Sequence, residues 1–167
     1  MKKIILPAVL LFALCLAGIV IHLREPSGDT PESREKILRA LPKGIAWNIS
    51  SEVEIDGYIV SAISASGQDG LAVFEPAPNG RYECRSASYR AGGEIVTTEL
   101  YTSNTVYHVC WLNRADLDHA ELRFETQDGS ETIRLAAQDL LPVYTRAPGG
   151  DYDLHIEYHT TDGTVVE

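Results

Sequence analysis

The segment Asp153-Leu154-His155-Ile156-Glu157-Tyr158-His159 alternates acid or imidazole with apolar or aromatic residues. Read as a strand, it puts Asp153, His155, Glu157 and His159 on one face and Leu154, Ile156 and Tyr158 on the other. Imidazole and carboxylate are donors that suit zinc and other transition ions, so this face is the candidate metal site. Alternate strand residues stand about 6.6–7 Å apart. Two rings on one strand must therefore converge, with a further ligand from elsewhere such as His108, His119 or a carboxylate. The helical zinc-protease pattern, with Glu directly after the first His, is absent. The simpler reading is the solvated side of a half-buried strand.

Other groupings carry less. Asp116, Asp118 and His119 lie near Asn113, and oxygen-rich clusters can hold calcium, but the twelve-residue loop with its glycine and closing Glu is missing. A loop between strands accounts for them. His108 and Cys110 sit side by side on one strand rather than around a substrate, so Cys110 is not expected to be a nucleophile. No Gly-x-Ser-x-Gly elbow occurs. Ala91-Gly92-Gly93 lacks the lysine and helix start of a phosphate loop. No catalytic residue is assigned from the sequence, and no cofactor is expected. Cys84 and Cys110 are a candidate disulfide if the domain is exported, contributing roughly 3–4 kcal/mol, with two separate buried thiols as the alternative. Asn48-Ile49-Ser50 fits a glycosylation acceptor. The tyrosines are expected mainly in the core or at its rim, while exposed ones could stack on sugars or a protein partner.

The elements that must position these residues read as strands and turns. Thr30-Pro31 opens a short helix, with Ile37, Leu38 and Leu41 on its apolar face and Arg34, Glu35, Lys36 and Arg39 around it. Pro42 and Gly44 end it. About eight strands follow, separated by Asp56-Gly57, Gln68-Asp69-Gly70, Asn79-Gly80, Gly92-Gly93 and Asp128-Gly129. Val106 to Leu112 has no strongly charged face and is expected inside the sheet. Glu121–Glu125 and Glu131–Leu135 alternate cleanly about Asp128-Gly129 and form the clearest hairpin, with Leu122, Phe124, Ile133 and Leu135 inward. Asn113–His119 and Ala136–Leu141 are expected to contain helical turns. The fold class is therefore mainly β: an N-terminal transmembrane or signal helix, then a small antiparallel domain, a sandwich or curled sheet with one or two short helices.

The domain reading is 1–22 as signal anchor or signal peptide, 23–30 as linker and 31–167 as the extracytoplasmic β domain. Lys2 and Lys3 form a basic, membrane-proximal tip before 18 uncharged residues, Ile4 to Ile21. As a helix that run spans about 27 Å, against a hydrocarbon core of about 30 Å. The positive-inside rule would leave Lys2 and Lys3 in the cytoplasm. The expected location is the plasma membrane, single-pass with the domain outside, or secretion if the segment is cleaved. Cys15 invites a lipoprotein reading, but Leu14 departs from the small residue that precedes a lipidated cysteine. All 24 acidic residues but only 12 of the 14 basic ones follow residue 22. That balance argues against a nucleic-acid partner and against broad contact with anionic lipid.

Glu54-Ile-Asp-Gly-Tyr-Ile-Val60, Gly70-Leu-Ala-Val-Phe74 and Asn79-Gly-Arg-Tyr82, behind a Lys-Lys start, apolar segment and Pro/Ser/Gly spacer, resemble membrane-anchored extracytoplasmic domain proteins of Gram-positive bacteria. The resemblance implies topology and transfers no functional residue. The expected function is a non-enzymatic protein-binding or structural module at the cell envelope, with the membrane and an envelope protein as partners. The alternatives are a ligand- or carbohydrate-binding sensory module and a metal-dependent enzyme using the His155/His159 face.

Overall fold

The computed structural model describes residues 26–41, 45–137 and 141–166. One helix, α1 (Pro31–Arg39), precedes eleven strands: β1 (Asn48–Ile55), β2 (Tyr58–Ala65), β3 (Gln68–Pro76), β4 (Tyr82–Ala91), β5 (Val96–Tyr101), β6 (Val106–Trp111), β7 (Leu117–Thr126), β8 (Gly129–Ala136), β9 (Pro142–Arg146), β10 (Asp153–Thr160) and β11 (Val165–Val166). They form three antiparallel sheets, in the orders β1-β2-β3-β4, β5-β6-β9 and β11-β10-β7-β8.

Apolar side chains fill three layers between these elements. Leu38 of α1 packs with Trp47, Ile63, Ala72 and Phe74 on the outer face of the first sheet. The inner face of that sheet supplies Val60, Ala62, Leu71 and Val73, which meet Val96, Leu100, Val109 and Trp111 of the second. Cys110 and Val143, from the opposite face of the second sheet, meet Ala120, Leu122, Phe124 and Tyr158 of the third. The central position of β6 agrees with its two uncharged faces, and the β7–β8 hairpin pairs Leu122 with Ile133. The far face of β7 and β10 has no sheet over it, so its residues are polar.

Several expectations need correction. The domain is mostly β with one short helix, and among the described residues no helix is long and apolar enough to cross a membrane. Among the described residues nothing supports the N-terminal transmembrane helix, the cell membrane as a partner through it or a single-pass plasma-membrane placement. The expected span, Ile4 to Ile21, with Lys2 and Lys3 before it, lies outside the described residues. The turn expected at Gln68-Asp69-Gly70 lies two residues earlier, at Ser66-Gly67, where φ is 45° and 78°. Gly70 is instead inside β3, where a Cβ would come within 2.5 Å of the Ser88 carbonyl oxygen. It marks a close approach of strands rather than a reversal.

Asn113–His119 and Ala136–Leu141 were expected to be helical, but Leu117–His119 opens β7 and Ala136 ends β8. Residues 138–140 are not among those described. Arg34, expected around the polar side of α1, is buried. Its Nε and Nη2 donate to the Glu52 carboxylate at 2.8 and 2.5 Å, and its Nη1 donates to the Gly28 carbonyl at 2.6 Å. The helix is thereby pinned to β1 by charge as well as by Leu38.

Cys84 and Cys110, the candidate disulfide pair, are separate thiols. Cys84 lies against the helix-side cluster and Cys110 in the cluster between the second and third sheets, with an apolar layer between them. Burial pushes the Cys84 thiol up to about 11 and Cys110 up to about 12. Both are therefore protonated and poor nucleophiles at neutral pH.

Candidate metal centre

The polar face of the third sheet is built by cross-strand register. Antiparallel pairing of β7 with β10 puts His119 opposite His159, Glu121 opposite Glu157, Arg123 opposite His155 and Glu125 opposite Asp153. His119-Ala-Glu121 and Glu157-Tyr-His159 are mirror-ordered, so antiparallel pairing joins ring to ring and carboxylate to carboxylate. Two carboxylates directly opposite each other repel, and a cation between them relieves this.

The centre lies where the ladder becomes irregular. The register shifts between His159 and Thr160, because Thr160 pairs with Leu117 and leaves Asp118 as an extra residue on β7. The bulge is fixed from two sides: the Ala137 N–H donates to the Asp118 carbonyl and the Thr161 N–H to the Asp116 carbonyl, both at 2.8 Å. After His159, Thr160 and Asp162 close the turn to β11 by accepting from the Thr164 N–H at 3.0 and 3.1 Å. Both histidines are thus carried on pinned backbone.

His119, Glu121 and His159 each bring one donor atom within 4.8 Å of the others. His119 is buried at 7 % exposure although it points to the polar face. Its ring stacks on that of His159, with centroids 4.4 Å apart and planes 3° from parallel. The Asp118 carboxylate lies 2.8 Å from His119 Nδ1. A carboxylate only accepts, so Nδ1 carries the proton and Nε2 faces the centre. Asp118 also accepts from Arg134 Nη2 at 2.7 Å. The hydrogen bond from His119, aided by Arg134, holds the Asp118 carboxyl below the usual carboxylate range.

His119 Nε2 stands 3.4 Å from Glu121 Oε1. Two lone pairs cannot face each other there, so either a proton or a metal ion must lie between them. His159 Nε2 is buried with no hydrogen-bond partner among the described residues. Its nearest charged neighbours are Glu121 Oε2 at 3.9 Å and Glu157 Oε2 at 3.8 Å, both beyond hydrogen-bonding range. An orphaned imidazole nitrogen next to two carboxylates and a second imidazole is what a cation would satisfy.

The donor set is two imidazoles and one carboxylate, with an Asp orienting one ring through its other nitrogen, a recurrent support for metal-ligating histidine. Parallel rings direct their in-plane lone pairs side by side. Zinc–nitrogen bonds of 2.0–2.1 Å place tetrahedral ligand atoms about 3.4 Å apart, so binding requires the stacked rings to splay.

Of the four residues nominated from β10, His159 is in this group and Glu157 is at its edge. His155 and Asp153 lie farther down the face, opposite Arg123 and Glu125. The sequence names His119 among the candidate ligands from elsewhere while placing it with Asp116 and Asp118 in a loop, and it reads Glu121 only as part of a hairpin. The mirrored His-x-Glu and Glu-x-His spacings were the available signal, and they become legible once β7 and β10 are known to be neighbours. The His-Glu-His grouping corrects the expectation of a purely structural or protein-binding module by favouring the metal-dependent alternative, because it offers a donor set suited to a metal ion. Comparison with protein families, with curated proteins and with solved structures found no match.

Proposed function

We propose that this chain is a metal-dependent enzyme domain that holds a divalent transition ion at His119, Glu121 and His159. The observation that carries the proposal is the buried His159 Nε2, which makes no hydrogen bond among the described residues, beside His119 and Glu121. The oriented His119 ring and the facing acid pair add support. Three protein ligands leave a coordination position for water or substrate, the arrangement of catalytic rather than structural zinc sites. In that position the ion supplies Lewis acidity and lowers the pKa of a bound water. Glu157, more than half exposed, opposite Glu121 and 3.8 Å from His159, is placed to accept the proton of that water.

The test is a calorimetric zinc titration of chelator-treated full-length chain, with thermal unfolding followed in parallel. One zinc per chain is expected, with an apparent stabilisation of about 2.7 kcal/mol when free zinc is a hundredfold above Kd. Absence of saturable binding would rule the proposal out.

A further inference from the structure

The centre opens onto a depression of about 430 Å³ lined by Glu121, Arg123, Glu125, Thr132, His155 and Glu157. Its size falls in the range of small-molecule sites, roughly 300–1,000 Å³. Three of the six lining side chains are carboxylates and one is a guanidinium, which disfavours an anionic substrate. Hydrolysis needs a proton donor for the departing group as well as a base for the water. Most of the lining is already committed. Glu121 belongs to the proposed ligand set, and Glu157 is placed to take the water proton. Arg123 and Glu125 are paired at 2.8 Å, and a guanidinium keeps its proton. The Thr132 hydroxyl, opposite Arg123 on β8, does not titrate. His155 is exposed and has no hydrogen bond or ion pair among the described residues. Imidazole is the side-chain type that exchanges a proton near neutral pH. The charged groups around His155 are Asp153 and Glu157 on its own strand, and Arg123, opposite it, with Glu121 and Glu125 on β7. His155 and Glu157 are alternate residues on one face of β10, about 6.6–7 Å apart along the strand. That interval accommodates a carbonyl group, with its leaving atom on the His155 side.

We infer that His155 is the general acid of this centre, protonating the leaving group of an uncharged acyl substrate while Glu157 takes the proton of the water. The inference rests on the metal reading of His119, Glu121 and His159. Water oxygen bonds to the carbonyl carbon, and Glu157 takes one water proton. The bond from that carbon to the leaving oxygen or nitrogen then breaks, with its electron pair on the leaving atom. That atom takes the His155 proton, so the products are an acid and an alcohol or amine. Glu157 returns its proton to solvent and His155 is reprotonated from solvent, so water is the only other reactant.

The experiment uses zinc-loaded full-length chain and two acetate esters, para-nitrophenyl acetate and benzyl acetate. The nitrophenolate leaves as a stable anion, whereas the benzyl alkoxide must be protonated as it leaves. Zinc affinity is measured on every variant first. His155→Gln is expected to keep its zinc affinity and to lose at least about tenfold more kcat on benzyl acetate than on para-nitrophenyl acetate. The wild-type kcat for benzyl acetate should fall on the alkaline side, where the acid loses its proton, and His155→Gln should flatten that limb. Equal losses on both esters, an unchanged alkaline limb, or turnover of neither ester by a chain that binds zinc overturns the inference and leaves the metal site standing. Failure of the wild-type chain to bind zinc removes both.

Discussion

Two histidines on neighbouring sheets, His108 buried and His159 partly exposed with a buried Nε2, make an instructive pair. His108, on β6, stands 2.9 Å through Nε2 from the Tyr152 hydroxyl, and its ring packs against Phe124 and Tyr152. Its Nδ1 lies 3.8 Å from Glu99. Burial holds its pKa below the ordinary histidine value, with Glu99 opposing the shift. His159, on β10, is also shielded, but its Nε2 has no hydrogen bond and shares its surroundings with a second imidazole and two carboxylates. Both residues are a histidine beside a carboxylate in a β domain. The difference is satisfaction. A histidine whose ring is paired and packed by its own fold is structural, and one left with a buried open nitrogen among other donors is available to an ion.

Replacing a ligand should separate the two regions most sharply. His119→Ala or His159→Ala is expected to weaken zinc binding by more than about 100-fold, beyond the 10–100-fold typical of losing an outer partner. His108→Gln should leave that affinity unchanged in the same calorimetric titration. Asp118→Asn sharpens the picture next. It keeps the shape but changes the group that orients His119, and zinc affinity is expected to fall by about 10–100-fold. Equal affinity in Asp118→Asn and wild type would show that the Asp118 carboxylate does not orient His119 for the ion.

The converse substitution acts on stability. His108→Ala removes a buried ring packed on Phe124 and leaves the Tyr152 hydroxyl without its partner. A loss of about 2–3 kcal/mol is expected in denaturant unfolding, with zinc affinity retained. The smallest expected effect is on pH dependence. The folded-state pKa of His108 lies below its unfolded value near 6.5, so below that pH the unfolded chain binds the extra proton first. Stability from this group is complete above about pH 6.5 and declines as the pH falls toward the folded-state value. His108→Gln, compared in metal-free protein, should flatten that part of the curve of thermal midpoint against pH. An unchanged slope would assign the acid sensitivity to other groups.

What was legible in the sequence follows from the range of the interactions. Alternation in β7, β8 and β10 is local, and it correctly divides Leu122 and Phe124 from Glu121 and Arg123, and Tyr158 from His159. The Asp56-Gly57 hairpin turn, with φ of 51° and 81°, is equally local. The pairing of β7 with β10 spans a long stretch of chain and crosses β8 and β9, so no window around His159 contains His119. The bulge at Asp118 was hidden for the same reason, because it exists only against the partner strand. Arg34 was misplaced because a helical stripe cannot announce that Glu52 waits on the sheet to receive a buried guanidinium.

The most direct test of the central claim is anomalous diffraction at the zinc edge from crystals of the chain grown with zinc. An anomalous peak about 2.0–2.2 Å from His119 Nε2, His159 Nε2 and a Glu121 carboxylate oxygen is predicted, with the two rings splayed from their parallel stack. Rings still stacked, with zinc elsewhere on the acidic surface or nowhere, would contradict it.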